Sequence, residues 1–122
     1  MRSHEKLDVW KKSVDFEVEI YRMTESFPKE EKFGLTSQIR RASVSIPANI
    51  AEGAARETDK DFLRFLSIVQ GSASEVETEL LIANRLGYIS EENHTTARAA
   101  LDEIGRMTMG LAKHLKRKAT TK

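Results

Sequence analysis

The sequence contains no cysteine, only two prolines and few aromatic residues, which make up 7% of the chain. Without cysteine, disulfides and thiolate chemistry are excluded. Scarce proline and aromatic residues also argue against a β fold with many turns. No run approaches the roughly 20 apolar residues of a membrane-spanning helix, and the N-terminal stretch MRSHEKLDVWKK lacks the apolar segment of a secretory signal. We therefore expect a cytoplasmic protein with no membrane partner.

Length and charge narrow the class of protein further. A chain of 122 residues fits a single domain, which we predict over 1–122 with a basic C-terminal tail at about 116–122. Charged residues make up 32% of the chain and apolar residues 39%, a composition that suits water-soluble helices. The formal net charge is only +1, so no global field favours a charged partner.

Apolar residues recur at helical spacing in four segments of the chain. We predict helices at about 6–26, at about 34–55, from just after Thr58 to Gly87, and from Ser90 into the basic end KHLKRKATTK. Thr58 with Asp61 three residues on favours a capped start, and Gly87 is a natural C-cap. Apolar steps of four and three residues favour nearly antiparallel packing. The predicted fold is all-α, an up-down-up-down antiparallel four-helix bundle with left-handed packing.

A proline interrupts the second predicted helix in the stretch RRASVSIPANIAEGAAR. Pro47 removes the hydrogen bond to the Ser43 carbonyl, so the segment is either one kinked helix or two short helices. Apolar residues keep their helical step from Ala42 to Gly53, which favours one kinked helix.

The outward side of the second predicted helix is mostly small and apolar, whereas a surface helix normally has a polar side. Alanine as a good helix former is one explanation. We favour a subunit interface, because apolar residues also occupy the outward side of the third predicted helix. The predicted interface residues are Arg41, Val44, Ala48, Ala51, Ala55, Ile68, Glu75 and Ile82.

Two arginines and two glutamates are candidate ion-pair partners. Glu75 and Glu79 are predicted on the outward side of the third helix, where either could meet Arg40 or Arg41 within the chain or across an interface. The alternative is that all of them are ordinary solvated charges.

Residues for catalysis or for a cofactor are not apparent. Glu91 and His94 have the Glu-x-x-His spacing of di-iron bundles, but such sites need the motif on two helices. We therefore predict no metal, no cofactor and no enzyme. Asn49, Glu52 and Gly53 are interpreted as packing and capping residues rather than a site.

Basic residues gather near both ends of the sequence. If the chain binds RNA or DNA, oligomerisation repeats these weak patches, and phosphate contacts make the binding salt-dependent and insensitive to sequence. The alternative is a solvated helix end. The predicted contact residues are Arg2, Lys6, Lys11, Lys12, Lys113, Lys116, Arg117 and Lys118.

Two long stretches resemble a known family. FPKEEKFGLTSQIRRASVSIPANIAEGAAR and FLRFLSIVQGSASEVETELLIANRLGYI are similar to the 23S-rRNA intervening-sequence proteins. The resemblance implies a four-helix bundle that assembles as a ring-like homopentamer. Related members include an accessory protein of diversity-generating retroelements, which binds nucleic acid and a reverse transcriptase. Two hypotheses follow: a non-catalytic oligomer that binds nucleic acid, or a protein scaffold that docks a partner enzyme such as a reverse transcriptase.

Overall fold

The computed structural model of the chain describes the backbone of residues 3–120 and the side chains of residues 4–118. These residues form four α-helices and two short 3₁₀ helices, with no strand among them. The 3₁₀ helices are Ser3–Lys6 and Lys29–Glu31. The α-helices are α1, Asp8–Thr24; α2, Leu35–Ala54; α3, Asp59–Arg85; and α4, Glu91–Thr120. The prediction of an all-α protein with four helices is confirmed.

Helix ends follow the signals in the sequence. The Thr58 hydroxyl accepts a hydrogen bond from the Asp61 amide at 3.1 Å and so caps the start of α3. Gly87 has a φ of 80°. This left-handed conformation commonly ends a helix, and glycine adopts it without strain. The Ser90 hydroxyl accepts from the Asn93 amide at 3.0 Å at the start of α4.

Helix α2 passes through Pro47 without interruption, as the apolar spacing predicts. Pro47 is itself buried in the core. Two residues after the proline, the Asn49 side-chain amide donates to the Ser45 carbonyl at 2.8 Å and to the Ser45 hydroxyl at 2.9 Å. These bonds join the residues on either side of Pro47, which itself has no N–H to donate to the Ser43 carbonyl.

Each helix packs against its neighbours in the chain, and α1 also contacts α4. The Ser45 and Ser72 hydroxyls join α2 and α3 at 2.8 Å, while Gly53 lies against Phe62 and Phe65. The two helices therefore run in opposite directions. The left-handed sense of the bundle stays a prediction.

The core is a continuous stack of aliphatic side chains between the four helices. Its fully buried members include Ile20, Ile39, Ile46, Ile50, Leu66, Val69, Val76, Leu80 and Ile104. Burial of such side chains contributes roughly 1.5–3 kcal/mol each, which makes this stack the main support of the fold. Among the described residues, no helix combines the length and apolarity needed to span a bilayer.

Candidate functional site

The residues predicted to form an interface lie on one surface, which we call the outer face of α2 and α3. Six of its eight residues are exposed, and Val44 and Ala51 are half-buried. Ile68 and Ile82 keep 49% and 45% of their surface accessible to solvent. The α2–α3 contacts at Ser45 and at Gly53 bracket Ala48 and set it near Ile68 along the pair of helices.

Glu79 is buried, with only 5% of its surface exposed. The prediction that it lies on the outward side of α3 is wrong, although it does lie close to Glu75. Glu79 falls three residues after Val76 and four before Ala83, so it belongs to the buried stripe of α3. The effect of Arg41 on Glu79 sets this carboxyl on the side of the stripe that faces α2. Its Oε1 atom has no hydrogen-bond partner among the described residues.

The surroundings of Glu79 disfavour its negative charge. Burial raises the pKa of Glu79 to about 7, and repulsion from Glu75 and a side-chain hydrogen bond with it act in the same direction. The positive charge of Arg41 opposes this shift. Glu79 therefore changes its charge near neutral pH at the edge of the outer face.

Arg40 and Arg41 have separate roles in the structure. Arg40 donates from Nε to the Thr24 hydroxyl at 2.8 Å and from Nη2 to the Tyr21 carbonyl at 3.3 Å. Its guanidinium also lies 4.5 Å from the centre of the Tyr21 ring. Arg40 thus joins α2 to α1, and of the two arginines only Arg41 acts electrostatically on Glu79.

The other residues considered for a site, Asn49, Glu52 and Gly53, make contacts within the fold. Asn49 bonds to Ser45, Glu52 pairs with Arg56 at 2.6 Å, and Gly53 lies at the α2–α3 contact. Within the part of the chain that the structure describes, no group of three potential metal ligands occurs. These surroundings fit the interpretation of Asn49 and Gly53 as packing residues.

The two basic clusters lie toward the same end of the bundle, because consecutive helices run in opposite directions and so set the start of α1 and the end of α4 at one end. Lys12 contacts Glu103 at 3.1 Å near the middle of α4. In the C-terminal cluster, Lys118 approaches Asp59 at the start of α3, at 3.6 Å. The predicted tail is the continuation of α4 as far as Thr120. Arg2 lies outside the described residues.

Lys113 and Lys116 keep exposed positions beside a shallow groove between α3 and α4. Lys6, Lys11 and Arg117 are exposed too. These side chains stay candidates for phosphate contacts. Lys12 and Lys118 stay candidates too, although each approaches a carboxylate.

A second surface, at the opposite end of the bundle, was not predicted. We call it the aromatic–basic groove, and its volume is about 410 Å³. It is lined by Tyr21, Lys32, Phe33, Thr36, Ser37, Arg40, Arg41 and Val44. Phe33 is 89% exposed. The one sequence signal is an aromatic residue in the charged loop segment KEEKFG, outside every apolar stripe.

Comparisons with known proteins identify relatives by sequence and by fold. A family model described as 23S rRNA-intervening sequence protein matches residues 5–110. A solved structure, a protein with unknown function from the S23 ribosomal protein family of Bacteroides thetaiotaomicron VPI-5482, superposes with a TM-score of 0.80. It is 29% identical to this chain, and the match covers 86% of this chain and 98% of that one. A comparison with curated proteins finds no match.

Proposed function

The chain belongs to the 23S rRNA-intervening sequence protein family, and from its surfaces we propose that it is a non-catalytic homo-oligomer that binds nucleic acid. Subunits associate through the outer face of α2 and α3, and the resemblance of the sequence to its family suggests a ring of five. The assembly works in the cytoplasm and repeats each basic surface by symmetry.

The observation that carries the proposal is the uncovered apolar surface of the outer face. Ile68 and Ile82 are about half exposed, and Leu86 at the end of α3 is 55% exposed. Ala48 and Ala55 on the same outer face are small enough for another helix to approach closely. Exposed apolar side chains along one face are typical of a protein interface.

Assembly is tested by Ala48→Glu, which places a carboxylate on the outer face. We expect weaker association, because an unpaired charge in a close contact is strongly unfavourable. Ala99→Glu is the matched control, since it makes the same change at an exposed position of α4. Equal masses for both variants in light scattering would contradict the assignment of the interface.

Nucleic-acid binding is tested by fluorescence anisotropy with labelled RNA at about 50 mM and about 200 mM salt. We expect affinity to fall with salt, and truncation after Leu115 to flatten that dependence for all sequences alike. Leu115 is the last buried residue of α4 among the side chains that the structure describes, so the shortened chain keeps the described core. No binding by the full chain at the lower salt would refute this function.

A second candidate function is a protein scaffold that docks a partner enzyme. It is favoured by the ion pairs of Lys12 with Glu103 and of Lys118 with Asp59, because paired cations attract phosphate less strongly. An assembly that forms the expected oligomer but binds no RNA would support the scaffold.

A further inference from the structure

The aromatic–basic groove combines the basic and the aromatic side chains that proteins use to bind nucleic acids. Three of its eight lining residues are basic, two are aromatic, two are serine or threonine, and none is acidic. Cations attract the phosphate backbone, and aromatic rings stack on bases that are free of a duplex.

Phe33 is placed to receive a stacking partner. Its ring is 89% exposed, in the turn between the second 3₁₀ helix and α2. The Lys32 ammonium lies 5.4 Å from the ring centre, so one cation stands directly beside the exposed aromatic surface. A base on Phe33 would bring its own phosphate within reach of a positive charge.

Two of the three cations that line the groove, Arg40 and Arg41, make hydrogen bonds within the fold. Arg40 is fixed by its hydrogen bonds to Thr24 and to the Tyr21 carbonyl, and its guanidinium covers the Tyr21 ring. Arg41 donates from Nη2 to the Ser37 hydroxyl at 3.4 Å. Fixed side chains lose little conformational entropy on binding, which favours the complex.

The groove continues into a neighbouring one of about 470 Å³ that shares Lys32 and Arg40 with it and adds Lys29. Glu25 is the one acid that lines this second groove. The nearby Glu31 carboxylate is engaged, since it accepts from the Leu35 amide at 3.1 Å and from the Tyr88 hydroxyl at 3.0 Å. The combined path is therefore mainly basic.

We propose that the aromatic–basic groove binds single-stranded nucleic acid, with a base stacked on Phe33 and the adjoining phosphate held by Lys32. The site rests on the proposed nucleic-acid binding but lies at the opposite end of the bundle from the basic clusters. Arg41 and Val44 also belong to the outer face, so the groove borders the subunit contact and is repeated beside it in a ring. Repetition strengthens binding to a strand that spans several subunits.

The experiment compares labelled single-stranded RNA with the same RNA annealed to its complement. We expect the single strand to bind more tightly, because its bases are free to stack. Phe33→Ala should weaken single-strand binding by about tenfold, and Phe33→Trp should restore it. Val18→Ala, which shortens an exposed apolar side chain outside the groove, should change nothing. Lys32→Ala should lower the slope of log affinity against log salt by about one unit.

The outcomes separate this site from the broader function. If the wild-type chain binds RNA but Phe33→Ala and Lys32→Ala bind equally well, the groove is refuted while nucleic-acid binding stands. If the wild-type chain binds no RNA at low salt, both are refuted. If Phe33→Ala dissociates the oligomer while circular dichroism shows intact helices, Phe33 is a protein contact and the proposal is overturned.

Discussion

Gly53 and Phe62 lie so close together that a Cβ atom on Gly53 would stand 2.8 Å from Cδ1 of the Phe62 ring. The same Cβ atom would also come within 2.8 Å of the Phe65 Cβ. A glycine here lets the end of α2 approach the start of α3 at a distance that no other residue allows. The short connection between the two helices begins just after this contact.

The first prediction concerns this close approach. Gly53→Ala should lower the free energy of unfolding by about 1–3 kcal/mol, because the added methyl group overpacks a site that includes an immobile Cβ. Gly71→Ala is the matched control on α3, where an added Cβ meets nothing within 4 Å. There we expect a gain of about 0.5–1 kcal/mol, since alanine favours a helix over glycine. Urea unfolding at one pH measures both, and a stabilised Gly53→Ala variant would contradict the contact.

The second prediction concerns the pH dependence that Glu79 introduces. Its pKa is about 7 in the folded chain against an ordinary value of 4.5, so the folded state holds the proton more tightly. The resulting stabilisation is fully present below about pH 4.5 and is lost as the pH rises through about 7. Glu79→Gln should therefore stabilise the chain at pH above 7 and flatten this part of the profile.

We expect a gain of about 1–2 kcal/mol for Glu79→Gln above neutral pH, a value that allows for partial screening near the edge of the helix pair. Glu77→Gln is the control, because Glu77 is an exposed carboxylate on the same helix. Chemical denaturation at acidic and alkaline pH measures the difference. Parallel profiles for the two variants would show that Glu79 is not held in a neutral form.

The third prediction concerns the hydrogen bond from the Tyr88 hydroxyl to Glu31 Oε2, which joins the α3–α4 connection to the loop before α2. This bond raises the pKa of the Tyr88 phenol. Tyr88→Phe should lower the free energy of unfolding slightly, because the hydrogen bond to Glu31 is lost, while the ring contact with Phe27 is kept. The substitution should also remove one phenol from the high-pH end of the tyrosine absorbance titration. If stability is unchanged, the bond contributes nothing to the fold.

The helices were predictable because their signals are local. The cap at Thr58 and the glycine at position 87 act within a few residues, and the continuous apolar step across Pro47 outweighs the proline. The exposed side of α2 followed from the same periodicity. Local hydrogen bonding and helical repeat therefore suffice for element type and for most boundaries.

The environments of Glu79 and Phe33 could not be predicted from the sequence and became clear only in the structure. Glu79 stands at the edge of the buried stripe, where the rotation of α3 against α2 decides between solvent and core. Phe33 lies in a turn, so no periodicity assigns it to a side, and its neighbours Tyr21 and Arg41 come from two different helices. Such groupings depend on the packing of whole helices, which a linear pattern does not determine.

The most direct test of the account is the molar mass of the wild-type chain in solution, measured by light scattering coupled to gel filtration at micromolar concentration. We predict a homo-oligomer, with a pentamer at five times the chain mass of 13.8 kDa. The same measurement on Ala48→Glu should give a smaller mass, and on Ala99→Glu an unchanged one. A wild-type mass of 13.8 kDa would contradict assembly through the outer face of α2 and α3.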